Sequence, residues 1–312
     1  MFADNYIEKV LEKKSHLCVG LDPDLKEFPT YILNEAEEKY GKTSQGAAHA
    51  IYEFNKLVID QVADLIPVVK PQLAYYEVYG SAGIDAFWKT VAYAHAKDLL
   101  VIADAKRGDI ESTSKAYAQA FFKDKNNSWQ DTDKVDAVTV NPFLGRDGID
   151  PFLEVAKENG DGVIVLVKTS NNSSGEYQDK ITIEDKKSIS ELVCDYIVSN
   201  YPESIGKYGY SNIGAVVGAT YPEQARDFRK KISKSLFLVP GIGKQGGDIE
   251  QLANSFNEDG LGAIISSSRA INYAYPSVES NDKEVKNSIR NIVIETNQLI
   301  NESLRRADKL AW

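Results

Sequence analysis

Residues 99–110 read LLVIADAKRGDI, an apolar run that turns abruptly into charge. The first five positions are those of a buried strand, short and without a polar face. Side chains two apart on a strand point the same way, so Asp104 and Lys106 share one face. Asp109 follows on the loop that enters the next helical stretch. A strand that buries its body and charges its carboxyl end is what an α/β barrel uses to build an active site.

Working outward, seven further runs have the same character. They are 17–22 (LCVGLD), 66–72 (IPVVKPQ), 137–142 (AVTVNP), 162–170 (GVIVLVKTS), 213–220 (IGAVVGAT), 236–243 (LFLVPGIG) and 262–269 (GAIISSSR). Amphipathic helical segments lie between them, most clearly at 47–65, 85–98, 186–200 and 222–232. Strands alternating with helices imply βαβ units and a parallel sheet. Eight such strands favour a closed (β/α)8 TIM barrel, a single domain over 1–312, above an open doubly wound sheet of five or six strands. The barrel core is expected at about 15–272. A helical segment before it and a final helix at about 282–308 are expected to pack on its outside. Two stretches break the spacing, 24–46 and 171–185, each after a strand and each a loop insertion. The second, NNSSGEYQDKITIED, suits either a lid or an inert surface insertion.

Charge gathers where strands end. Lys70 closes VVKPQ and Asp22 closes GLDPD. The second and third strands of such a barrel are neighbours, so Lys70 is expected to meet Asp104 and Lys106, giving an alternating array with Asp109. Burying four charges costs several kcal/mol per ion unless each is paired. Apolar packing would stabilise a barrel mouth at least as well, so the array favours chemistry over an ion-pair plug. Across the ring, VPGIGKQGGD leaves glycine backbone free to approach a ligand, and Arg269 offers a planar fork for phosphate oxygens. Barrels often bind phosphate after strands seven and eight, although glycines also serve simply as turns. Asn141, Thr169, Ser170 and Thr220 end the remaining strands. These neutral groups suit recognition of a heterocycle or sugar, or they form turns.

Whole-chain composition narrows the classes. The 312 residues carry a formal net charge of −10, which disfavours a nucleic-acid surface but leaves room for a local basic pocket. No stretch has the length and apolarity of a membrane span, and the N-terminus lacks the pattern of a signal peptide, so the cytoplasm is expected. The two cysteines, Cys18 and Cys194, read as small buried hydrophobes. His16, His49 and His95 sit away from strand ends with no metal-ligand spacing. Neither a P-loop nor a dinucleotide fingerprint nor a nucleophile elbow is present. Neither metal nor cofactor is therefore expected, and no nucleic-acid or membrane partner.

At DAKRGDI the sequence resembles the orotidine 5′-phosphate decarboxylase family. Asp-x-Lys-x-x-Asp is complete as Asp104, Lys106 and Asp109, with VVKPQ, GLDPD and VPGIG…SSSR in the family's order from about 15 to 272. The long bacterial and protozoan form is the nearer match, given the insertion after the first strand and KTSN at the fifth. The resemblance implies that Lys106 protonates C6 of the pyrimidine as CO2 leaves. It sets Asp104 beside the substrate carboxylate and has Lys70 help fix Lys106. Asp22 and Lys70 would reach the ribose, Thr169 and Ser170 the pyrimidine, and Gly243, Gln245 and Arg269 the phosphate. Asp109, Ile110 and Thr113 would enter the other active site of a homodimer. Two other classes stand beside this one: a metal-dependent sugar-phosphate decarboxylase or aldolase on the same scaffold, and a non-catalytic phosphate-binding barrel.

Overall fold

A computed structural model describes residues 1–241 and 249–312. Its eight strands are β1 (Leu17–Leu21), β2 (Val68–Pro71), β3 (Leu100–Arg107), β4 (Ala137–Val140), β5 (Gly162–Lys168), β6 (Ser211–Val217), β7 (Ser235–Val239) and β8 (Ala263–Ser267). Each pairs in parallel with the next, and β8 returns to β1, so the sheet closes into a barrel. The expected (β/α)8 architecture is the observed one. Strand bodies are almost wholly buried because helices cover the outer face and side chains fill the inner one.

The barrel interior is a packed layer of Cys18, Val68, Leu100, Ile102, Ala137, Ile164 and Leu238, among others. The N-terminal helix Phe2–Lys13 belongs to that interior cluster and does not pack outside as expected. Phe2, Ala3, Tyr6, Ile7 and Val10 recur on one face and plug the amino end of the barrel. Polar contacts fix the plug: the Ala3 amide donates to Asn212 Oδ1 at 3.0 Å, and the Tyr6 hydroxyl to the Ala263 carbonyl at 2.8 Å. An amphipathic stripe specifies that a helix buries one face but not which surface receives it. The C-terminal helix Asp282–Arg306 does lie outside, against the helix Ser44–Val62.

The insertion 24–46 contains a helix, Thr30–Tyr40, not resolved by the sequence pattern. Its buried stripe is narrow, Ile32 and Ala36, which explains the weak periodic signal. The Thr43 hydroxyl accepts the Gly46 amide and starts the next helix at Ser44. In the second insertion a short 3-10 turn spans Asn172–Glu176. The following helix starts at Ile189, where Ser188 and Glu191 form a capping box. Arg269 is not the end of β8; it opens a one-turn helix, Arg269–Asn272.

At the amino end of the barrel, Asp161 immediately precedes β5 and its carboxyl is pushed up to about 7, first by burial and then by the charge of Asp136. Above pH 7 the fold therefore carries a charge that its surroundings disfavour, while in the unfolded chain that charge is free. Below the ordinary carboxylate range both states are protonated and the penalty vanishes. Asp161→Asn is expected to raise Tm at pH 8 by about 2 °C or more, with the gain shrinking as the pH is lowered towards 5. A thermal series showing a pH-independent difference would contradict this account.

Candidate active site

The carboxyl ends of the strands surround a cavity of about 540 Å³. Asp104 is the most heavily engaged side chain in its wall. Its Oδ2 accepts Lys70 Nζ at 2.6 Å and Gln72 Nε2 at 2.9 Å. Its Oδ1 accepts Lys106 Nζ at 2.6 Å and the Thr139 hydroxyl at 3.0 Å. Lys70 and Asp104 are buried, with side-chain exposures of 6% and 8%, whereas Lys106 is 43% exposed and faces the cavity. Burial alone would push the Asp104 carboxyl up, but Lys70 and Lys106 outweigh it and hold the group well below the carboxylate range. Burial would likewise pull Lys70 down, yet Asp104 and Asp22 raise it above the ordinary lysine value. Both groups are therefore locked in their charged forms.

The expected meeting of Lys70, Asp104 and Lys106 occurs, by a route that the alternation rule did not anticipate. Register sets Gln72 opposite Asp104, so Gln72 joins the cluster and Lys70 reaches it diagonally. Gln72 was legible in principle, since it lies two residues from Lys70 on the same strand face. Lys106 has a left-handed backbone, φ 46°, within an irregular stretch of the β3–β4 ladder. A lysine in that conformation is strained by about 1–3 kcal/mol, a cost found mostly at functional positions.

Asp22 lines the same cavity, and its Oδ1 is buried without a hydrogen-bond partner. Such an acceptor is costly unless a ligand supplies the donor. The loop that carries it is held by Tyr273, whose hydroxyl donates to the Asp22 carbonyl at 2.7 Å and accepts the Asp24 amide at 2.8 Å. Gly20 is required just upstream, because a Cβ there would stand 2.0 Å from Ser268 Oγ. Ser266, Ser267 and Ser268 bring a polar rim beside Arg269. The run SSSR, part of the motif set on which the family resemblance rests, therefore stands at the cavity. Gly243 and Gln245, assigned to the phosphate, lie outside the described residues.

Thr169 and Ser170 also line the cavity. Behind them Lys168, fully buried, donates to both oxygens of Asp179 at 2.7 and 2.6 Å and lies 4.4 Å over the Tyr221 ring. Gln178 accepts the Thr169 amide at 2.9 Å and donates to its hydroxyl at 2.8 Å. The insertion after β5 is thus clasped to the strand that it follows. In the sequence Lys168 reads only as the strand-end lysine of KTSN, without a partner.

Asp109, Ile110, Thr113 and Asn141 lie apart from the cavity lining. Asp109 Oδ1 accepts the Ile110 amide at 2.8 Å, and Asn141 Oδ1 accepts the Phe143 amide at 3.0 Å, each side chain serving a local turn. Within one chain the charged array therefore has three closely bonded members, Lys70, Asp104 and Lys106, and Asp109 is not a fourth.

A model of the orotidine 5′-phosphate decarboxylase / HUMPS family matches residues 15–283. The chain belongs to this family. It is 40% identical over 281 residues to the orotidine 5′-phosphate decarboxylase of Clostridium perfringens, covering 90% of this chain and 92% of that relative. It is 38% identical to the enzyme of the same name from Rhodopirellula baltica, covering 95% and 98% respectively. The solved structure of Leishmania donovani OMP decarboxylase superposes with a TM-score of 0.68 at 28% identity, over 96% of this chain and 98% of that one. Both insertions fall within the residues that the family model matches.

Removing the clasp should loosen the insertion while the barrel stays folded. In Lys168→Met, the amides of Thr169 and Ser190, both bonded to Gln178, are expected to exchange at least about tenfold faster by local opening. Unchanged protection in hydrogen exchange would show that the ion pair does not hold the segment.

Proposed function

We propose that this chain converts orotidine 5′-phosphate to uridine 5′-phosphate and CO2, with Lys106 delivering the proton to C6. The observation that carries the reading is the Lys70–Asp104–Lys106 cluster at the barrel mouth, in a chain about 40% identical to orotidine 5′-phosphate decarboxylases along most of its length. Loss of CO2 from C6 leaves an sp2 carbanion that no ring orbital can delocalise. A half-exposed ammonium held on a buried carboxylate answers that charge, which exists only near the transition state. Because Asp104 fixes the ammonium beforehand, little reorganisation is needed as the bond breaks. The same carboxylate lies beside that of the substrate and disfavours the ground state relative to the transition state.

The remaining roles are those that the family resemblance implies. Asp22, with its orphan oxygen, accepts from ribose hydroxyls alongside Lys70. Thr169 and Ser170 face the pyrimidine. Arg269, with Gly243 and Gln245, grips the phosphate, and this remote binding energy organises the reacting end. Neither a metal nor a cofactor enters the scheme. Asp109, Ile110 and Thr113 serve the neighbouring active site of a homodimer. Exposed Ile110, Phe143 and Leu144 on the adjoining loops are apolar surface that such a partner would cover. The reaction belongs to the final step of pyrimidine nucleotide synthesis, in the cytoplasm. Among the described residues no helix is long and apolar enough to cross a membrane.

Purified protein with excess chelator is expected to consume orotidine 5′-phosphate, followed by absorbance, and to release CO2. Lys106→Ala should lower turnover by roughly 10³-fold or more while uridine 5′-phosphate still binds. Absence of turnover in folded wild-type protein, or strict dependence on added metal, would sink the assignment. The shared site has its own test. Lys106→Ala and Asp109→Ala are each expected to be nearly inactive, and mixing them should restore activity through heterodimers with one intact site. A mixture no more active than its components would rule sharing out.

A further inference from the structure

We propose that Thr139 is a positioning residue for the proton donor, holding Lys106 through its backbone and its side chain at once; this rests on the reading of Lys106 given above. Thr139 is fully buried in β4 and is not part of the cavity wall, so it acts through its neighbours and not on substrate. In the β3–β4 ladder, Ala103 pairs with Val138 and the next pairing is Arg107 with Val140. Three β3 residues, 104–106, therefore face the single residue Thr139. The Lys106 backbone is left-handed there, within the register shift. The Lys106 amide donates to Thr139 Oγ1 at 3.0 Å.

A hydroxyl has one proton to give. With the Lys106 amide occupying an acceptor position, the proton goes to Asp104 Oδ1 at 3.0 Å in preference to the Ala103 carbonyl at 3.5 Å. Asp104 Oδ1 also receives Lys106 Nζ at 2.6 Å. A ring of hydrogen bonds results, from the Lys106 amide to Thr139, from Thr139 to Asp104, and from Lys106 Nζ to the same oxygen. One side chain thus supports the unusual backbone of the donor and aims the carboxylate that aims its ammonium. Small displacements of a reacting group can cost about 100-fold in rate, so the ring bears on turnover more than on binding.

Thr139→Val keeps the shape and deletes the hydroxyl, while Thr139→Ser keeps the hydroxyl. For the valine variant kcat is expected to fall by about 10–100-fold with KM for orotidine 5′-phosphate within about threefold of wild type. The serine variant should stay within about threefold on both. A second readout does not depend on activity: the Lys106 amide should exchange faster in Thr139→Val than in wild type or Thr139→Ser. If the valine variant does not fold, Thr139→Ala takes its place with the same expectations. A folded variant lacking the hydroxyl that keeps kcat within twofold overturns the proposal, as does a serine variant impaired as much as valine. Inactive wild-type protein would instead overturn the assigned reaction, leaving the exchange measurement to decide the hydrogen-bond ring.

Discussion

The carboxylate of Asp104 holds four hydrogen bonds in the mouth of the barrel, and the rest of the site is arranged around keeping it there. It is buried between two lysines, and an uncompensated charge at that depth would be worth several kcal/mol of instability. Compensation comes from three strands together: Lys70 and Gln72 from the β2 end, Lys106 from β3 and Thr139 from β4. Two lysines against one aspartate leave a positive excess, which Asp22 offsets from the loop after β1. Arg269 across the ring then leaves the lining one net positive charge, so a chain of net charge −10 presents a pocket suited to an anion.

Stability and chemistry occupy opposite ends of the same strands. At the amino end the helix Phe2–Lys13 supplies apolar side chains to the barrel interior, and its polar contacts serve only to seat it. At the carboxyl end the interior becomes charged within about one turn of the ladder, from Ile102 to Asp104. This division is general for the fold. Here it lets a strained element survive, because the left-handed Lys106 stands on strands already secured from below.

The strands were legible because a fully buried parallel strand has little choice but an unbroken apolar run, and all eight runs carried that signature. The charged cluster was legible for the same reason, as Asp104 and Lys106 interrupt such a run. What escaped depended on partners in space. The N-terminal helix showed its stripe but not its destination. Gln72 depended on register, and Thr139 on an irregularity in the ladder that makes a β-branched strand former into a hydrogen-bond relay. Lys168 depended on Asp179, eleven residues along a segment whose sequence has no period. Asn141 shows the opposite limit, since its strand-end position suggested a ligand while its side chain caps a turn.

The two walls of the cavity are consequently built to different standards of rigidity. The wall with Lys70, Asp104 and Lys106 is made of strands and cross-strand hydrogen bonds, so the Lys106 ammonium is aimed without help from a ligand. The wall with Thr169 and Ser170 leads into an insertion held by the Lys168–Asp179 ion pair, by Gln178 and Gln224, and by the Tyr221 ring. Proton delivery to carbon tolerates little misplacement, whereas admission and release of a nucleotide require some wall to yield. The two walls differ in what holds them, cross-strand hydrogen bonds on one side and a clasped insertion on the other. Asp179 is 39% exposed while Lys168 is wholly buried, so opening the clasp would strand the lysine charge and hydrate only the carboxylate. That asymmetry favours the closed arrangement.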